Sequence, residues 1–366
     1  MEQFNYYIHV LKNYATFNGR ARRSEYWYFI LFNTLISVGL NVIGGVISFG
    51  LIGTIYSLAV LIPSIAVGVR RMHDVGKSGW FLLIPIYNDW QSAYKLLDKI
   101  DHNISGLDHE ISVIIVNDAS THDRQEEQKN FTNIHSIKVL NMKINQGHAR
   151  CIATGLKYIF EKEDFDYVIP MDGDGEDRPE EIKEFINQID NSNNNPIVGE
   201  RVKRSEKLIF KICYQLHKLI TLTFTGKSIK FGNYTCLPKS TVEKMIKEKA
   251  TWNSFSGSLK KIENNLLPIP STRGSRYFGP SKMSFFNLIK HSLSIMSVFR
   301  KTFLIRSALF IILYILLIKS NASVVTALPL VFLLIAVYSI SNLSLRENLD
   351  EFKDSLTQIK DIVKIK

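Results

Sequence analysis

Residues 78–89, SGWFLLIPIYND, follow a long uncharged stretch and admit two readings. As a helix, "WFLLIPIY" opens another membrane span. As a strand, it begins a soluble α/β domain and ends in a polar turn. Length decides between them. Six apolar residues, Phe81 to Ile86, give way at once to Tyr87, Asn88 and Asp89, and then to a helical pattern carrying Lys95, Asp98 and Lys99. A bilayer core requires about 20 apolar residues in a helix, and backbone that stops inside lipid leaves its polar groups unpaired. The stretch is predicted to be a strand.

Downstream the same pattern repeats. "ISVIIV", "SIKVL", "DYVIPM" and "PIVG" are short apolar runs rich in β-branched residues. "QSAYKLLDKI", "GHARCIATGLKYIFEK" and "PEEIKEFINQI" carry helical patterns between them. Strands alternating with helices predict a parallel sheet covered on both faces, whose ligands gather beyond the carboxyl ends of the strands.

Apolar blocks flank this region. Tyr26–Val69 has no charged residue and holds two spans, about 26–47 and 51–69, with Gly44, Gly45 and Gly50 for a turn. Arg20, Arg22 and Arg23 precede it, and Arg70, Arg71 and Lys77 follow. Basic flanks on both sides place both in the cytoplasm. A second block runs from Phe303 to Ile318 and from Val324 to Ile340, split by "KSNAS". Its first span is short and makes Arg306 snorkel, so a re-entrant or interfacial hairpin is the alternative. Before it, Phe286, Ile289, Leu293 and Met296 share one helical face, and Ser284, Asn287, Lys290, Ser294 and Ser297 share the other. That pattern predicts an interfacial helix. In the tail, Leu349, Phe352, Leu356, Ile359 and Ile362 fall at helical spacing. The expected divisions are a membrane domain over 1–79, an α/β domain over 80–282, an interfacial helix over 283–300, a transmembrane hairpin over 301–343 and a cytoplasmic tail helix over 344–366.

The 366 residues carry a net charge of +11. Such an excess suits nucleic acid, anionic lipid or a phosphorylated substrate. Nucleic acid is disfavoured, because the basic residues flank membrane spans and form no single stripe. Cys151, Cys213 and Cys236 are far apart with no CxxC pair, which argues against a zinc site or disulfide framework and fits a reducing compartment. The first apolar run begins only at Tyr26, behind a basic cluster, unlike a signal peptide.

Two acidic turns fall on one edge of the expected sheet. "VNDAS" carries Asp118, and "MDGDGEDRPEE" carries Asp172 and Asp174, one glycine apart. Paired carboxylates at a strand end suit a hard divalent cation, which takes oxygen ligands and bridges phosphates. Pro179 and two glutamates then start a helix. An EF-hand is excluded: Asp177 replaces the sixth-position glycine and Lys183 the final glutamate. A solvated acidic turn without function is the plain alternative for a lone DxD.

Residues from about Phe81 to Arg300 resemble a family 2 glycosyltransferase of the GT-A fold, in the branch of dolichyl- and polyprenyl-phosphate sugar transferases. The resemblance rests on "IPIYND", "VNDAS", "NQGHARCIATGLKY", "MDGDGEDRPEEI", "VGERVKR", "FGNYTCLPK" and "STRGSRYFGPSKMSFFNLIKHSLSIMSVFR", in that order. It implies that Pro85, Tyr87 and Asp89 line the nucleotide pocket and that Asp118 bonds the base. Asp172 contacts the ribose or metal region, and Asp174 holds Mg²⁺ or Mn²⁺ on the diphosphate. Arg201 and Arg204 grip phosphate, donor or acceptor, with forked guanidinium groups. Arg273, Arg276 and Lys282 face a lipid-side phosphate or anionic headgroups, and Asn233 lies in the acceptor loop.

There are departures from the family pattern. Asn117 replaces the first acid of V-D-D, Glu176 replaces a glutamine, and "GNYT" stands where G-D-F-R is usual. Glu176 and Asp177 are the nearest candidates for a catalytic base, which a sugar hydroxyl needs and a phosphate does not.

"YATFNGRARRSEYWYFILFN" and "PSIAVGVRRMHDVGKSGWFLLI" resemble a YhaH-like bacterial inner-membrane family of unknown function, which enters a further membrane helix where this chain turns into the strand. His73 and Asp74 lie in that segment, as a functional or merely structural pair. The two resemblances imply a bacterial inner-membrane enzyme with its catalytic domain facing the cytoplasm. It moves a sugar, with inversion, from a nucleotide-diphosphate sugar to a lipid-linked acceptor such as polyprenyl phosphate. The rival readings are transfer to a glycan or glycolipid hydroxyl, and a membrane scaffold or sensor carrying an inactive nucleotide-sugar-binding domain.

Overall fold

The computed structural model describes the chain apart from residues 1, 18–20, 22, 47–50, 76–78, 123, 125–129, 204–207 and 280–284. It divides into two compact units, Met1–Ser78 and Gly79–Lys366. In the first, α1 (Glu2–Lys12) precedes α2 (Arg23–Val46), α3 (Ile52–Ala59) and α4 (Leu61–Val75). Glu25–Gly44 and Ile52–Val69 are long and apolar enough to cross a membrane. Tyr7, Val10 and Phe29 pack together, and Tyr56 Oη donates to Asn33 Oδ1 at 2.7 Å while meeting Tyr7 Oη at 2.8 Å. The polar side chains among these apolar helices thus satisfy one another.

The quoted stretch opens the second unit as β1 (Gly79–Ile86), parallel to β2 (Glu110–Asn117). Helix α5 (Trp90–Asn103) joins them. Leu82, Ile84 and Ile86 face one core with Leu96, Leu97 and Ile100. Phe81 and Leu83 face the other, with Ile152, Leu156 and Ile159. Both faces of β1 are covered, which explains an apolar run without alternation. Each such side chain contributes about 1.5–3 kcal/mol on full burial.

The chain continues through β3 (Ser136–Met142), α6 (His148–Lys162), β4 (Tyr167–Pro170), α7 (Ile182–Asn187), α8 (Ile189–Ser192), β5 (Ile197–Lys203) and α9 (Leu208–Thr225). Then come β6 (Phe231–Pro238), α10 (Lys239–Lys247), α11 (Phe255–Ile262), β7 (Leu267–Thr272), α12 (Phe285–Ser297), α13 (Arg300–Ile318) and α14 (Val324–Ser344). A short α15 (Leu349–Lys353) and β8 (Ile359–Lys364) end it. The eight-stranded sheet has the order β7-β5-β6-β4-β1-β2-β3-β8. Strands β1 to β4 are mutually parallel where they pair. Strand β6 is antiparallel to both β4 and β5, and β8 is antiparallel to β3. The expected parallel sheet is therefore mixed at both flanks.

Two expectations need correction. The tail is not one helix: α15 and a single 3-10 turn, Ser355–Gln358, give way to a strand, Phe352 stacks on Trp252 with centroids 5.4 Å apart, and Ile359–Lys364 pairs with β3. The open edge of β3 and the β-branched content of "IKDIVK" outweigh the helical spacing. Arg306 is held by the protein itself. Its Nη1 donates to the carbonyls of Leu222 at 3.3 Å and Thr223 at 2.8 Å, in the last turn of α9, where the helix dipole favours a cation. Ser294 and Ser297 are not on an open polar face. Both are buried, and Asn253 Nδ2 donates to Ser297 Oγ at 2.9 Å. Only the first half of α12, with Phe286, Leu288 and Ile289, is exposed. Arg300–Ile318 and Val324–Ser344 are each long and apolar enough to span a membrane.

Candidate active site

The carboxyl ends of β1, β2 and β4 lie side by side and carry three turns. The β1 and β2 turns are tied together: Asn88 N donates to Ser120 Oγ at 2.8 Å, and Asn88 Oδ1 accepts from the amides of Thr121 at 2.8 Å and His122 at 3.1 Å. Tyr87 is exposed at this edge. Pro85 is buried in β1 opposite Val116, with its carbonyl toward Gly173.

Asp118 is buried, and its oxygens accept from the amides of Gln146 at 2.6 Å and Gly147 at 2.9 Å. It therefore pins the loop entering α6, a role its spacing did not announce. The negative charge sits by the amino end of that helix.

The DxD turn follows β4. Asp172 Oδ1 lies 3.3 Å from His148 Nε2, and Asn233 Nδ2 lies 2.8 Å from the same ring nitrogen. Desolvation alone raises the Asp172 pKa, but the His148 bond and charge, then Arg201, outweigh it and hold the carboxyl well below its usual range. Desolvation pulls His148 down, and Asp172 more than offsets that, leaving the imidazole raised. Asp174 is pushed up to about 6, first by burial and then by the charge of Asp172, with Arg276 and Arg273 acting against the shift. Asp177 is pushed up to about 8 by burial and by Asp172.

Asp177 and Glu176, read from sequence as catalytic candidates, are both engaged. Asp177 is 6% exposed and its Oδ2 accepts the Asp172 amide at 2.9 Å, so it braces the turn. Glu176 is paired with Arg273. Glu181, four residues beyond Asp177, anchors β7: Ser271 Oγ donates to it at 2.7 Å and Thr272 N at 2.8 Å.

A strap from Arg273 to Tyr277 lies against the DxD turn. Gly274 N donates to the Glu176 carbonyl at 2.8 Å and Tyr277 N to the Asp174 carbonyl at 2.9 Å. Arg276 pairs through Nη1 with Asp174 and through Nη2 with Asp89, the latter at 2.8 Å. Lys95 and Lys99 sit over the Tyr277 ring at 5.3 and 5.0 Å. Arg273 and Arg276 are thus gathered onto the acidic turns, while Arg204 and Lys282 lie outside the described residues. His148 was missed by the sequence reading; its place directly after Gly147, at the start of a helix facing the DxD, was the available signal.

Among the described residues, no three His, Cys, Asp or Glu side chains form a ready metal cage. The donor chemistry nevertheless fits a hard divalent ion, since Asp172 and Asp174 present oxygen ligands on one turn.

Two family models match the chain. Residues 14–125 match the protein family of unknown function DUF805, and residues 81–253 match glycosyl transferase family 2. The inner membrane protein YhaI of Escherichia coli (strain K12) is 44% identical over 81 residues, which cover 21% of this chain and 69% of YhaI. This is a DUF805 chain carrying a family 2 glycosyl transferase domain. The undecaprenyl-phosphate 4-deoxy-4-formamido-L-arabinose transferase of Proteus mirabilis (strain HI4320) is 26% identical over 216 residues. The match covers 57% of this chain and 64% of that transferase, short of two thirds of its length. Residues 1–349 of S. aureus TarS, crystallised with UDP-GlcNAc, align at 15% identity over 76% of this chain and 89% of that one, with a TM-score of 0.40. The two family matches overlap at residues 81–125, whose described part holds most of β1, all of α5 and β2, and the turn at 118–122. The DUF805 pattern thus runs on through the first two strands of the transferase sheet.

Proposed function

We propose that the chain is a membrane-bound, inverting glycosyltransferase of the bacterial inner membrane, with its catalytic domain facing the cytoplasm. It takes a sugar from a nucleotide-diphosphate sugar and places it on a lipid-linked acceptor of the polyprenyl-phosphate type. One observation carries this reading furthest. Asp89, Asp118, Asp172 and Asp174 follow the carboxyl ends of adjacent strands at one sheet edge, where Arg276 bridges Asp89 and Asp174 and Arg273 pairs with Glu176, in the unit that also holds the apolar helices α13 and α14. The kinship with a transferase named for undecaprenyl phosphate supports the acceptor class.

Asp172 and Asp174 would hold Mg²⁺ or Mn²⁺. Such an ion, when bound, neutralises charge on the departing diphosphate. The protein's own groups do the rest. The β1 and β2 turns orient the nucleotide, and the Arg273 and Arg276 forks bind phosphate oxygens. An acceptor phosphate oxygen bonds to the anomeric carbon as the bond to the diphosphate oxygen breaks on the opposite face. No proton need be removed from it, which accords with Glu176 and Asp177 being held in other bonds.

The test is nucleotide release from UDP-, GDP- and dTDP-sugars by the chain in detergent, with Mn²⁺ or Mg²⁺, with and without a polyprenyl phosphate. Release that depends on the lipid is the expected result. Metal-dependent donor binding without lipid-stimulated release would reject the phosphate acceptor and favour a glycan hydroxyl.

The raised Asp174 pKa gives a pH dependence. Below about 6 the carboxyl is mostly protonated and a poor ligand, and above it the carboxylate is available. Mn²⁺-supported nucleotide affinity should therefore rise as the pH passes upward through about 6 and then level off, as measured by calorimetric titration. A flat profile across that midpoint would remove Asp174 from the metal site.

A further inference from the structure

The carboxyl-end row of the sheet crosses four strands in register: Ile86 opposite Asn117, Asn117 opposite Asn141, and Asn141 opposite Asp361. The last of these belongs to β8, which the chain reaches only after the α13–α14 hairpin. Three side chains of this row form a continuous hydrogen-bonded line. Asn141 Nδ2 donates to Asp361 Oδ1 at 2.6 Å, and Asn117 Nδ2 donates to Asn141 Oδ1 at 2.9 Å. Asn117 Oδ1 accepts from the amide of Ser120 at 3.1 Å.

From there the line reaches both turns. Ser120 Oγ holds the Asn88 amide, and Asn88 Oδ1 holds the amides of Thr121 and His122. Asn88 and Ala119 both adopt positive φ, 49° and 54°. Backbone in that region persists only when its surroundings fix it.

The direction of this line is set at its two ends. An asparagine amide donates from one atom and accepts at the other, so it fits either way round until a neighbour decides. A carboxylate only accepts. Asp361 therefore turns Asn141 Nδ2 toward itself and presents Asn141 Oδ1 to Asn117, while the Ser120 amide, which only donates, takes Asn117 Oδ1, so both ends favour the same direction. A first-position acid, the usual residue of the V-D-D pattern, lacks the amide donor that Asn117 contributes here.

We propose that Asp361 is a positioning residue for the nucleotide site, acting through Asn141 and Asn117 on the β1 and β2 turns. Donor binding is thereby coupled to the seating of the strand that follows the membrane hairpin. The inference rests on the reading of those turns as the nucleotide floor. Asp361 is exposed, so its bond is screened by water and its effect is moderate.

The experiment is calorimetric titration of the full chain in detergent with UDP, GDP and dTDP in the presence of Mn²⁺. The wild-type chain is compared with Asp361→Leu, Asp361→Asn and Asn117→Ala, and each melting midpoint is recorded. Loss of one such bond corresponds to about a three- to ten-fold weaker Kd for Asp361→Leu. Asp361→Asn, which keeps an acceptor oxygen, should stay within about two-fold of wild type. In the double variant the Asp361→Leu effect should vanish on the Asn117→Ala background, since the line is already cut. That comparison decides even where Asp361→Leu lowers the melting midpoint. Unchanged affinity in Asp361→Leu, equal loss in Asp361→Asn, or effects that add in the double variant would each overturn the proposal. Failure of the wild-type chain to bind any of the three nucleotides would overturn the nucleotide reading itself, and the proposal with it.

Discussion

Asp174→Asn is expected to lower lipid-dependent nucleotide release by about 10²–10³-fold, the range typical for removing one electrostatic partner of the reacting centre. The substitution keeps size and shape and removes charge. An asparagine in its place can still accept the Glu176 amide that Asp174 Oδ1 accepts at 2.9 Å, so the turn itself should survive. It cannot balance Arg276, whose two nitrogens divide between Asp174 and Asp89. Nor can an amide oxygen match the charge of a carboxylate as a ligand for a hard cation. The loss should fall on turnover and on metal dependence, with the melting midpoint little changed because the two hydrophobic cores lie within the sheet layers. A variant that releases nucleotide at the wild-type rate would remove Asp174 from the chemistry. If the wild-type chain also turns over no donor, the unit is a scaffold with an inactive nucleotide-sugar-binding domain.

The strands the sequence displays best are those buried on both faces. Strands β1 and β2 read as apolar runs because helices cover each side, and six consecutive apolar residues leave no room for a membrane span. The flanks are less readable for physical reasons. Strand β7, Leu267–Thr272, carries Pro268 and Pro270, which sequence logic assigns to loops. It is tolerated because β7 is the outermost strand and pairs with β5 alone. Strand β6 contains Gly232 and Asn233, and its register with β5 shifts between Val198 and Glu200. Strand β8 depends on a template, the open edge of β3, that lies far earlier in the chain.

The site divides along the same line. The placement of Asp118, Asp172 and Asp174 on one sheet edge was legible because each follows a strand end in an acidic turn. Their electrostatics were not legible. Asp172 is held low by His148 and Arg201 while Asp174 is raised by burial and by Asp172. Two carboxylates separated by a single glycine therefore shift in opposite directions, and only the partners brought by α6, β5 and the strap separate them. Asp177 looked like a base by proximity in sequence, yet the fold turns it inward onto the Asp172 amide.

The strap also yields the second large effect, Gly274→Ala. A Cβ at position 274 would stand 2.6 Å from the Gly175 carbonyl oxygen, 3.3 Å from Arg178 Cγ and 3.4 Å from the Glu176 carbonyl oxygen. Two of these neighbours are backbone, so no side-chain rotation relieves the overlap. Gly175 is constrained in turn: its φ is +91°, and a Cβ there would meet the Tyr277 ring at 2.5 Å. The strap and the DxD turn thus approach at backbone distance, each across a glycine of the other segment. One methyl group must push them apart and carry Arg273 from Glu176 and Arg276 from Asp174 and Asp89. A displacement of about 1 Å at a reacting centre lowers rates by about 10²-fold, so donor turnover should fall by ~10- to 100-fold. Overpacking of this kind costs about 1–3 kcal/mol, and of the strap only Tyr277 packs against a core, so the melting midpoint should fall modestly. Ser275→Ala, on an exposed strap residue given no role in the site, should stay within about two-fold of wild type. Wild-type turnover by Gly274→Ala would mean that the strap does not lie on the DxD turn in the working enzyme, and Arg276 would then have to reach phosphate from elsewhere.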